Sequence, residues 1–446
     1  MRLAILAFAL LSAAPAAAKL DTAAIDRAAA AILADTRVPT ASIAIVQDGR
    51  IVYTHAYGAG ARTTARYRIA SVSKQFTVTA ILMLADEGRL TLDDPVGRYL
   101  PGLTAADRIT IRQLLNHTAG YRDYWPQDYP FVAMARPVTP AEILDRWAKA
   151  PLDFAPGSQW QYSNTGYVVA GLIAEKVSGE PLMRLIQTRI LDPLHMTSAV
   201  DADSGMTAAD ARPHHRYALG PVRPEVPAGP GWLYAAGPLA MTAADLARWD
   251  IAMIDRTLLN PASYAAQRTP AITSAGRATD YGLGIEIDSV AGHRRLHHGG
   301  EAVGFLSENR IYPDDRAAIV VLVDGDFGDA EVAIADRIEA AILPEADGSA
   351  RARAILAMLR AGRIDRTRFT ANGNAYFTRE ALADFKASLG RLGTVTAVTP
   401  RSSSLRGGFT EMVYDVRSAT RALMLVLRAE PGAEGRIEQF TLSPTS

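Results

Sequence analysis

The chain has 446 residues, of which 49% are hydrophobic and 21% are charged, so it is long enough for a large core and more than one domain. Its 47 basic residues balance its 47 acidic residues, which gives no indication of a basic nucleic-acid-binding surface or an acidic tail. The absence of cysteine excludes disulfide bonds and thiolate metal sites.

The N-terminal segment has the pattern of a signal peptide. Arg2 precedes an apolar run over 3–11, and the small residues at 16–18 fit a cleavage site before Lys19. The apolar run is too short to span a bilayer comfortably, and no later stretch reaches ~18 uninterrupted apolar residues. We therefore predict a signal peptide over 1–18, export to the periplasm or the medium, and a mature chain without a stable membrane span.

The first 90 residues predict a helix, two strands of a hairpin, a short strand and a helix that is apolar on most sides. Their bounds are 22–36, 38–46, 51–57, 67–70 and 71–85. Gln47-Asp48-Gly49 is typical of the tight turn of a hairpin. A helix without a polar face is a buried one, so the last of these helices is predicted to lie in the core.

Residues 90–280 have helical patterns, many loops and few strand patterns. The clearest helices lie at 111–117, 140–149, 167–178, 181–190 and 243–254. Strand patterns return at 281–287, 294–297, 304–312 and 317–323, and a helix over 330–343 follows, with Asp329 as its N-cap. This order predicts an α/β fold in which both ends of the region build one sheet. An all-helical lobe over about 90–280 is inserted, and the active site is expected in the cleft between the two.

A change in composition at 344–349 separates the last hundred residues from the rest. Beyond it the patterns predict two helices and three strands, at 353–360, 379–389, 406–416, 421–428 and 436–442. We predict a first domain over 19–344 and a separate α+β domain over 345–446. The second domain has no motif that indicates chemistry. It could be the functional part, cover the cleft or form a dimer contact.

The first candidate motif is Ser71-x-x-Lys74, at the predicted start of the buried helix. Positions i and i+3 of a helix share a face, so the hydroxyl and the amine lie side by side. Burial lowers the pKa of a lysine, and a neutral amine can take the proton of a serine. The alternative is an ordinary helix start with a solvated lysine.

The second candidate is Tyr162-Ser163-Asn164, in the loop before a predicted helix. Tyr162 could carry protons, with its phenolate favoured by a cationic lysine, and Asn164 could offer its amide to the substrate and to Lys74. The alternative is an aromatic-rich turn with Asn164 as an N-cap.

The third candidate is His298-Gly299-Gly300-Glu301, after a strand pattern that also carries His293 and His297. Adjacent histidines on a strand face opposite ways and the one nearby acid lies beyond two glycines, so no metal site is predicted. The glycines suit a strand edge that a substrate backbone approaches closely.

These three motifs, in this order, resemble those of the serine β-lactamase and penicillin-binding-protein superfamily. The closest resemblance is to the branch of class C β-lactamases, DD-peptidases and related esterases. Further stretches that match the family lie at 109–120, 156–164, 192–196 and 281–284. The resemblance covers about 25–345 and implies an antiparallel sheet flanked by helices, with the inserted lobe.

The resemblance also implies a role for each motif residue. Ser71 would be the acylated nucleophile, Lys74 and Tyr162 would share the general-base role, and Tyr162 would activate water in deacylation. Asn164 would position the substrate amide. The backbone N–H groups of Ser71 and Glu301 would form the oxyanion hole.

His298 stands where many members of that superfamily have the lysine of a Lys-Thr-Gly triplet. Histidine is only partly charged near neutral pH, and Gly299 replaces the threonine that could bind a substrate carboxylate. His298 and Gly300 are expected to contact substrate, and this departure favours ester or neutral amide substrates over β-lactams.

The sequence thus predicts an exported serine hydrolase that cleaves a small-molecule or peptide ester or amide, of the esterase or D-aminoacyl/DD-peptidase type. No metal, organic cofactor or nucleic-acid partner is expected. One alternative is a class C-like β-lactamase. Another is a non-catalytic relative that uses the cleft to bind peptidoglycan or a partner protein.

Overall fold

The computed structural model describes residues 20–125, 132–290, 292–343, 348–430 and 435–444. The predicted signal peptide over 1–18 and residues 344–347 of the composition change lie outside these ranges. None of the described helices is long and apolar enough to cross a membrane.

The helices are numbered in chain order. The α-helices are α1 Thr22–Thr36, α2 Lys74–Asp86, α3 Ile111–Leu115, α4 Pro140–Ile143, α5 Asn164–Ser178, α6 Leu182–Ile186, α7 Ala243–Asp255, α8 Pro261–Gln267, α9 Ala330–Ile342, α10 Ser349–Arg360, α11 Ala371–Tyr376 and α12 Arg379–Gly390. Turns of 3₁₀ helix lie at Ala70–Ser73, Val96–Arg98, Val132–Ala135 and Arg366–Arg368. Turns of π-helix extend α4 and α6, at Leu144–Ala148 and Gln187–Leu191.

The strands of the described residues form four antiparallel sheets. They are β1 Ala41–Gln47, β2 Arg50–Tyr57, β3 Tyr67–Arg68, β4 Val200–Asp201, β5 His214–His215, β6 Arg223–Pro224, β7 Leu239–Met241, β8 Glu286–Val290, β9 His293–Ala302, β10 Phe305–Tyr312, β11 Ala317–Val323, β12 Val395–Arg406, β13 Phe409–Ser418, β14 Ala422–Ala429 and β15 Ile437–Pro444. The orders are β2-β1-β11-β10-β9-β8, β12-β13-β14-β15, β3-β7-β4 and β5-β6.

The six-stranded sheet is built from both ends of the first 343 residues, as the sequence predicts. β1 lies between β2 and β11, so the first strands of the chain pair with the last strand of this sheet. The β1–β2 turn has left-handed φ angles at Asp48 (52°) and Gly49 (72°), the backbone of a two-residue hairpin turn whose twist matches that of the strands.

Both faces of the six-stranded sheet are covered. Alternate residues of β11 point to opposite faces: Ile319, Val321 and Val323 pack with α1 and α9, whereas Val320 and Leu322 join the core that contains α2, α5 and α7. This explains why β1 and β11 read as nearly continuous apolar runs in the sequence.

The helix α2 is buried along almost its whole length, as predicted, but it begins later than predicted. Ser71 lies in the 3₁₀ turn Ala70–Ser73, and regular α-helix begins at Lys74. A buried polar chain fixes this helix to its neighbours: Trp249 Nε1 donates to Gln75 Oε1 (2.9 Å), and Gln75 Nε2 donates to Asn309 Oδ1 (3.0 Å). Because buried polar groups must be paired, this chain fixes how α2 sits against α7 and β10.

Several predicted bounds differ from the structure for identifiable reasons. β9 continues through Gly299 and Gly300 to Ala302, because pairing with β10 compensates for the low strand propensity of glycine. Asp329 is the N-cap residue of α9, as predicted, but it has a left-handed φ of 46° and its side chain makes no capping hydrogen bond. The lobe also contains the short strands β4 to β7.

The C-terminal residues form helices packed on a four-stranded antiparallel sheet, with a hydrophobic cluster of their own between Ala352 and Phe440. The sequence missed α11 and β12. β12 contains Pro400 and a run of serines, which are poor strand formers, and it is tolerated as an edge strand with a register shift after Pro400. The division of the chain at 344/345 stays a prediction.

Candidate active site

A cleft of about 400 Å³ lies between the helical lobe and the open end of the six-stranded sheet. Its lining includes six of the seven residues that the sequence analysis singled out: Ser71, Tyr162, Asn164, His298, Gly300 and Glu301. The seventh, Lys74, is fully buried and contacts Ser71 and Asn164. The structure therefore brings together residues that are up to 230 positions apart in the chain.

The lysine is held by three oxygen atoms. Lys74 Nζ lies 3.0 Å from Ser71 Oγ, 2.7 Å from Asn164 Oδ1 and 2.9 Å from the carbonyl oxygen of Ala236. A neutral amine has two N–H donors and one lone pair. Since the amide and carbonyl oxygens can only accept, they take both N–H groups and leave the lone pair for the hydroxyl of Ser71. Burial lowers the pKa of Lys74 to about 7, which makes this neutral form accessible.

Asp123 orients the amide that contacts the lysine, and sequence reasoning missed it. Asn164 Nδ2 lies 3.3 and 3.2 Å from the two carboxylate oxygens of Asp123, and Asn164 N donates to Oδ1 at 3.0 Å. A carboxylate accepts only, so the NH₂ group of Asn164 must face Asp123 and its oxygen must face Lys74. Asp123 follows the matched stretch 109–120 by three residues, but no spacing rule connects it to Asn164.

Asn164 is the first residue of α5, and the N-cap is Ser163, whose Oγ accepts from Gly166 N at 3.4 Å. The alternative reading of Asn164 as an N-cap is therefore wrong. Its side chain is free of the helix end and contacts Lys74 and Asp123 instead.

Tyr162 lies beside Ser71 and above the lysine, whose Nζ is 4.8 Å from the centre of the phenol ring. Burial raises the pKa of Tyr162, and a hydrogen bond with Ser71 offsets only part of the shift. The expected phenolate is therefore not the resting form: the phenol keeps its proton, and the buried Lys74 is the more available base.

His117 packs against Tyr162 and was not assigned a role from the sequence. Its ring centre lies 4.2 Å from that of Tyr162, at an interplanar angle of 31°. Its Nδ1 accepts from Ser163 N at 3.1 Å, which fixes the ring. Burial, followed by the charges of Lys74 and His298, lowers the pKa of His117 well below its usual value. A neutral His117 therefore positions the tyrosine without adding charge.

His298 is buried and neutral. Its Nδ1 lies 2.5 Å from the carbonyl oxygen of Gly299 and must donate to it, so Nε2 accepts from the hydroxyl of Tyr281 at 2.8 Å. Burial, followed by the charge of Lys74, lowers the pKa of His298 to about 3. A substrate carboxylate thus meets no cation at this position.

The three neighbouring histidines of β9 go to separate partners. His293 contacts Asp315, His297 lies near Asp288 and His298 contacts Tyr281. Among the residues that the structure describes, no group of three or more His, Asp or Glu side chains is placed to hold a metal ion.

Gly300 allows β9 to touch the backbone just before the serine. A Cβ there would lie 2.3 Å from the carbonyl oxygen of Ile69 and 2.2 Å from Ser307 Oγ. Ser307 Oγ itself donates to Ile69 O at 2.9 Å. Between Ile69 and Ser71, Ala70 has an unusual φ of 45°, which turns the chain sharply into the 3₁₀ turn. This contact holds β9 against the backbone that leads into Ser71.

The end of β9 offers an open strand edge to the cleft. β8 pairs with β9 only from His293 to His297, whereas β10 pairs with β9 as far as Ala302. The segment 298–302 therefore has β10 on one side and the cleft on the other. An extended substrate could add to this edge through backbone hydrogen bonds.

The antiparallel sheet, the inserted lobe and the serine–lysine–tyrosine arrangement in the cleft define a serine hydrolase of the β-lactamase fold. The sequence profile described as Beta-lactamase matches residues 25–343. The chain belongs to the beta-lactamase family.

The curated relatives carry the names of several kinds of enzyme or binding protein. Penicillin-binding proteins, D-aminopeptidases and an esterase are among the curated relatives. The D-aminopeptidase of Brucella anthropi is 28% identical over 329 residues, which cover 71% of this chain and 62% of the relative. The chain thus spans less than two-thirds of that relative's length.

Two solved structures resemble the fold. A D-stereospecific amidohydrolase from Streptomyces sp. has a TM-score of 0.63 at 30% identity and covers 72% of this chain and 98% of its own. An octameric penicillin-binding protein homologue from Pyrococcus abyssi has a TM-score of 0.61 at 21% identity, with 96% of this chain and 97% of that chain covered. At that identity the likeness concerns the fold alone, and it extends into the C-terminal residues.

Proposed function

We propose that the protein hydrolyses an ester or amide through an acyl-enzyme on Ser71. The observation that carries this proposal is the environment of Lys74. Two acceptor-only oxygens take the N–H groups of the neutral amine, and its lone pair is left 3.0 Å from Ser71 Oγ. This is the arrangement that a serine nucleophile needs from its base.

In acylation, Ser71 Oγ attacks the substrate carbonyl carbon while its proton passes to Lys74 Nζ. The carbonyl π electrons move to the oxygen, which the N–H groups of Ser71 and Glu301 would stabilise. Collapse breaks the bond to the leaving group, which takes the proton of Tyr162, and Lys74 returns a proton to the phenolate.

In deacylation, a water molecule attacks the acyl carbon and gives its proton to the Tyr162–Lys74 pair. The second tetrahedral intermediate breaks at the Ser71 ester bond, and Ser71 Oγ recovers a proton from the same pair. The products are the carboxylic acid and the free enzyme, so protons and electrons balance over the cycle.

Covalent labelling tests the nucleophile. A fluorescent fluorophosphonate is expected to label the wild-type protein and not Ser71→Ala. Ser73→Ala is the matched control, because Ser73 is buried two residues away and its hydroxyl accepts a hydrogen bond from Leu239 N. Equal labelling of Ser71→Ala and the wild type would refute the assignment. Absence of any labelling, together with no hydrolysis, would favour the non-catalytic alternative.

A substrate panel separates the activities that share this mechanism. We expect p-nitrophenyl esters or D-alanyl amides to be cleaved with higher kcat/KM than nitrocefin. The reason is that neutral His298 gives the carboxylate of a β-lactam no cationic partner. Preferential cleavage of nitrocefin would instead indicate a β-lactamase.

We also propose export, from the signal-peptide pattern at 1–18. N-terminal sequencing of the protein from the periplasmic or extracellular fraction should then begin near Lys19. Recovery of a chain beginning at Met1 in the cytoplasmic fraction would contradict it.

A further inference from the structure

The wall of the cleft that is built from β8, β9, β10 and the start of α9 is acidic. Five carboxylate side chains line it: Glu286, Glu301, Glu308, Asp329 and Glu331. Among the described residues that line this cleft there is no lysine or arginine. An unbalanced group of acids around a nucleophile repels anionic substrates and attracts cationic ones.

Glu331 has a buried carboxylate oxygen that a ligand in the cleft could pair with. It lies in the first turn of α9 and its side chain is almost fully buried, with 5% exposed. A hydrogen bond to its own backbone N–H favours the charged form, but its Oε2 has no hydrogen-bond partner within the described part of the chain. A buried carboxylate oxygen without a donor is costly unless a ligand supplies one.

Nearby cations are already engaged. Arg310 Nε donates to Glu308 Oε1 at 2.7 Å, and its Nη1 contacts Asp336 and Glu339. Glu308 is thereby balanced. Glu286 is different, because no salt bridge or side-chain hydrogen bond reaches its carboxylate from the described residues.

The pKa values of Glu286 and Glu331 are both raised in the free site. Burial, followed by the charges of Glu308 and Asp288, raises the pKa of Glu286 to about 7. Burial, followed by the charges of Asp329, Glu308 and Glu301, raises the pKa of Glu331 to about 7. Both carboxylates line the cleft, and a cation bound there would favour their charged forms.

We propose that Glu331 and Glu286 form a subsite for an ammonium group of the substrate. The substrate class is then an aminoacyl ester or amide with a free primary amine, because an ammonium has three donors for the carboxylate oxygens. The inference rests on the proposed Ser71 chemistry and selects, among ester and amide substrates, those with a cation and no carboxylate near the scissile bond.

The test compares D-alanine methyl ester with N-acetyl-D-alanine methyl ester, in which an acetyl group removes the charge of the amine, by acid release in a pH-stat at pH 7, where most of the free amine is an ammonium. We expect kcat/KM of the wild type to be about 10- to 100-fold higher for the free amine, the range of a charge-assisted hydrogen bond. Glu331→Gln and Glu286→Gln should each lower this ratio about 10-fold. Because the two kcat/KM values are measured on the same variant, a general loss of Ser71 reactivity lowers both and leaves their ratio unchanged.

Asp314→Asn is the matched control, because Asp314 is an exposed acid paired with Arg294 outside the cleft. It should leave the ratio unchanged. A wild-type ratio near one, or ratios in both glutamine variants equal to that of the wild type, would overturn the subsite.

If the glutamine variants do not fold, competition decides the question on the wild-type protein. n-Propylammonium should inhibit hydrolysis of p-nitrophenyl butyrate at lower concentration than propionate does, and the reverse order would overturn the subsite. Failure of the proposed function looks different: no ester is cleaved and Ser71 is not labelled.

Discussion

Asp123→Asn is the substitution that most directly tests how Lys74, the proposed base, is controlled. The carboxylate of Asp123 holds the amide of Asn164, and that amide holds Lys74 Nζ. Its negative charge also opposes the effect of burial, by raising the pKa of Lys74. The substitution keeps the size of the side chain while it removes the charge and one acceptor oxygen.

Two consequences of this substitution can be sized. Two hydrogen bonds and one amide group separate Asp123 from Lys74, so their charges lie roughly 7–8 Å apart. At an effective dielectric constant of ~20, the attraction between two unit charges at this distance is ~2 kcal/mol, which changes the pKa of Lys74 by about 1.5. The pKa of Lys74 should therefore fall further below 7 when the carboxylate is lost. Weaker orientation of Asn164 should lower kcat about 10-fold, the value of a hydrogen bond to a charged group.

The assay is the pH dependence of kcat/KM for a neutral ester such as p-nitrophenyl butyrate, from pH 5 to 9. In the proposed mechanism neutral Lys74 is the active form, so activity should rise as pH increases through its pKa. A lower pKa therefore moves the acid limb of the profile to lower pH. The expected result for Asp123→Asn is a lower plateau together with an acid limb displaced by about 1.5 pH units toward acid.

Asp153→Asn is the control, because Asp153 is an exposed acid on the neighbouring loop that pairs with Arg122. It should change neither the plateau nor the limb. An acid limb that stays in place in Asp123→Asn, or moves to higher pH, would refute the electrostatic link. Simple loss of folded protein would lower the plateau without moving the limb.

Two further predictions follow from the same site. In the wild type, kcat/KM for a neutral ester should fall about tenfold per pH unit below pH 7. Lys74→Arg should lower kcat/KM at least ~10³-fold at every pH, because a guanidinium cannot be deprotonated. Recovery of activity by Lys74→Arg at high pH would contradict the base assignment. Gly300→Ala should lower the free energy of unfolding by about 1–3 kcal/mol and reduce kcat, since its Cβ would overlap Ile69 O and Ser307 Oγ, whereas Gly299→Ala, with its nearest neighbour at 3.7 Å, should be tolerated. Thermal unfolding together with ester kinetics measures both glycine variants, and equal behaviour of the two would contradict the packing argument.

The sequence by itself determined the chemistry that is encoded in short spacings. Ser71 and Lys74 are three residues apart, and the apolar sequence around them predicts the burial that lowers the pKa of the lysine. The hairpin at 47–49 and the buried helix also follow from local patterns, which depend only on neighbouring residues. The order of the predicted strands and helices along the chain indicates the sheet built from both ends of the region.

Tertiary structure alone decided the features that depend on contacts between distant residues. Asp123 meets Asn164 from 41 positions away, and His298 is neutral because it is buried and because Gly299 and Tyr281 fix its hydrogen bonds. The acidic wall of Glu286 and Glu331 joins a strand and a helix that no motif connects. Such contacts depend on how the helices and strands pack together. The sequence pattern of one segment does not specify which distant side chain will contact that segment.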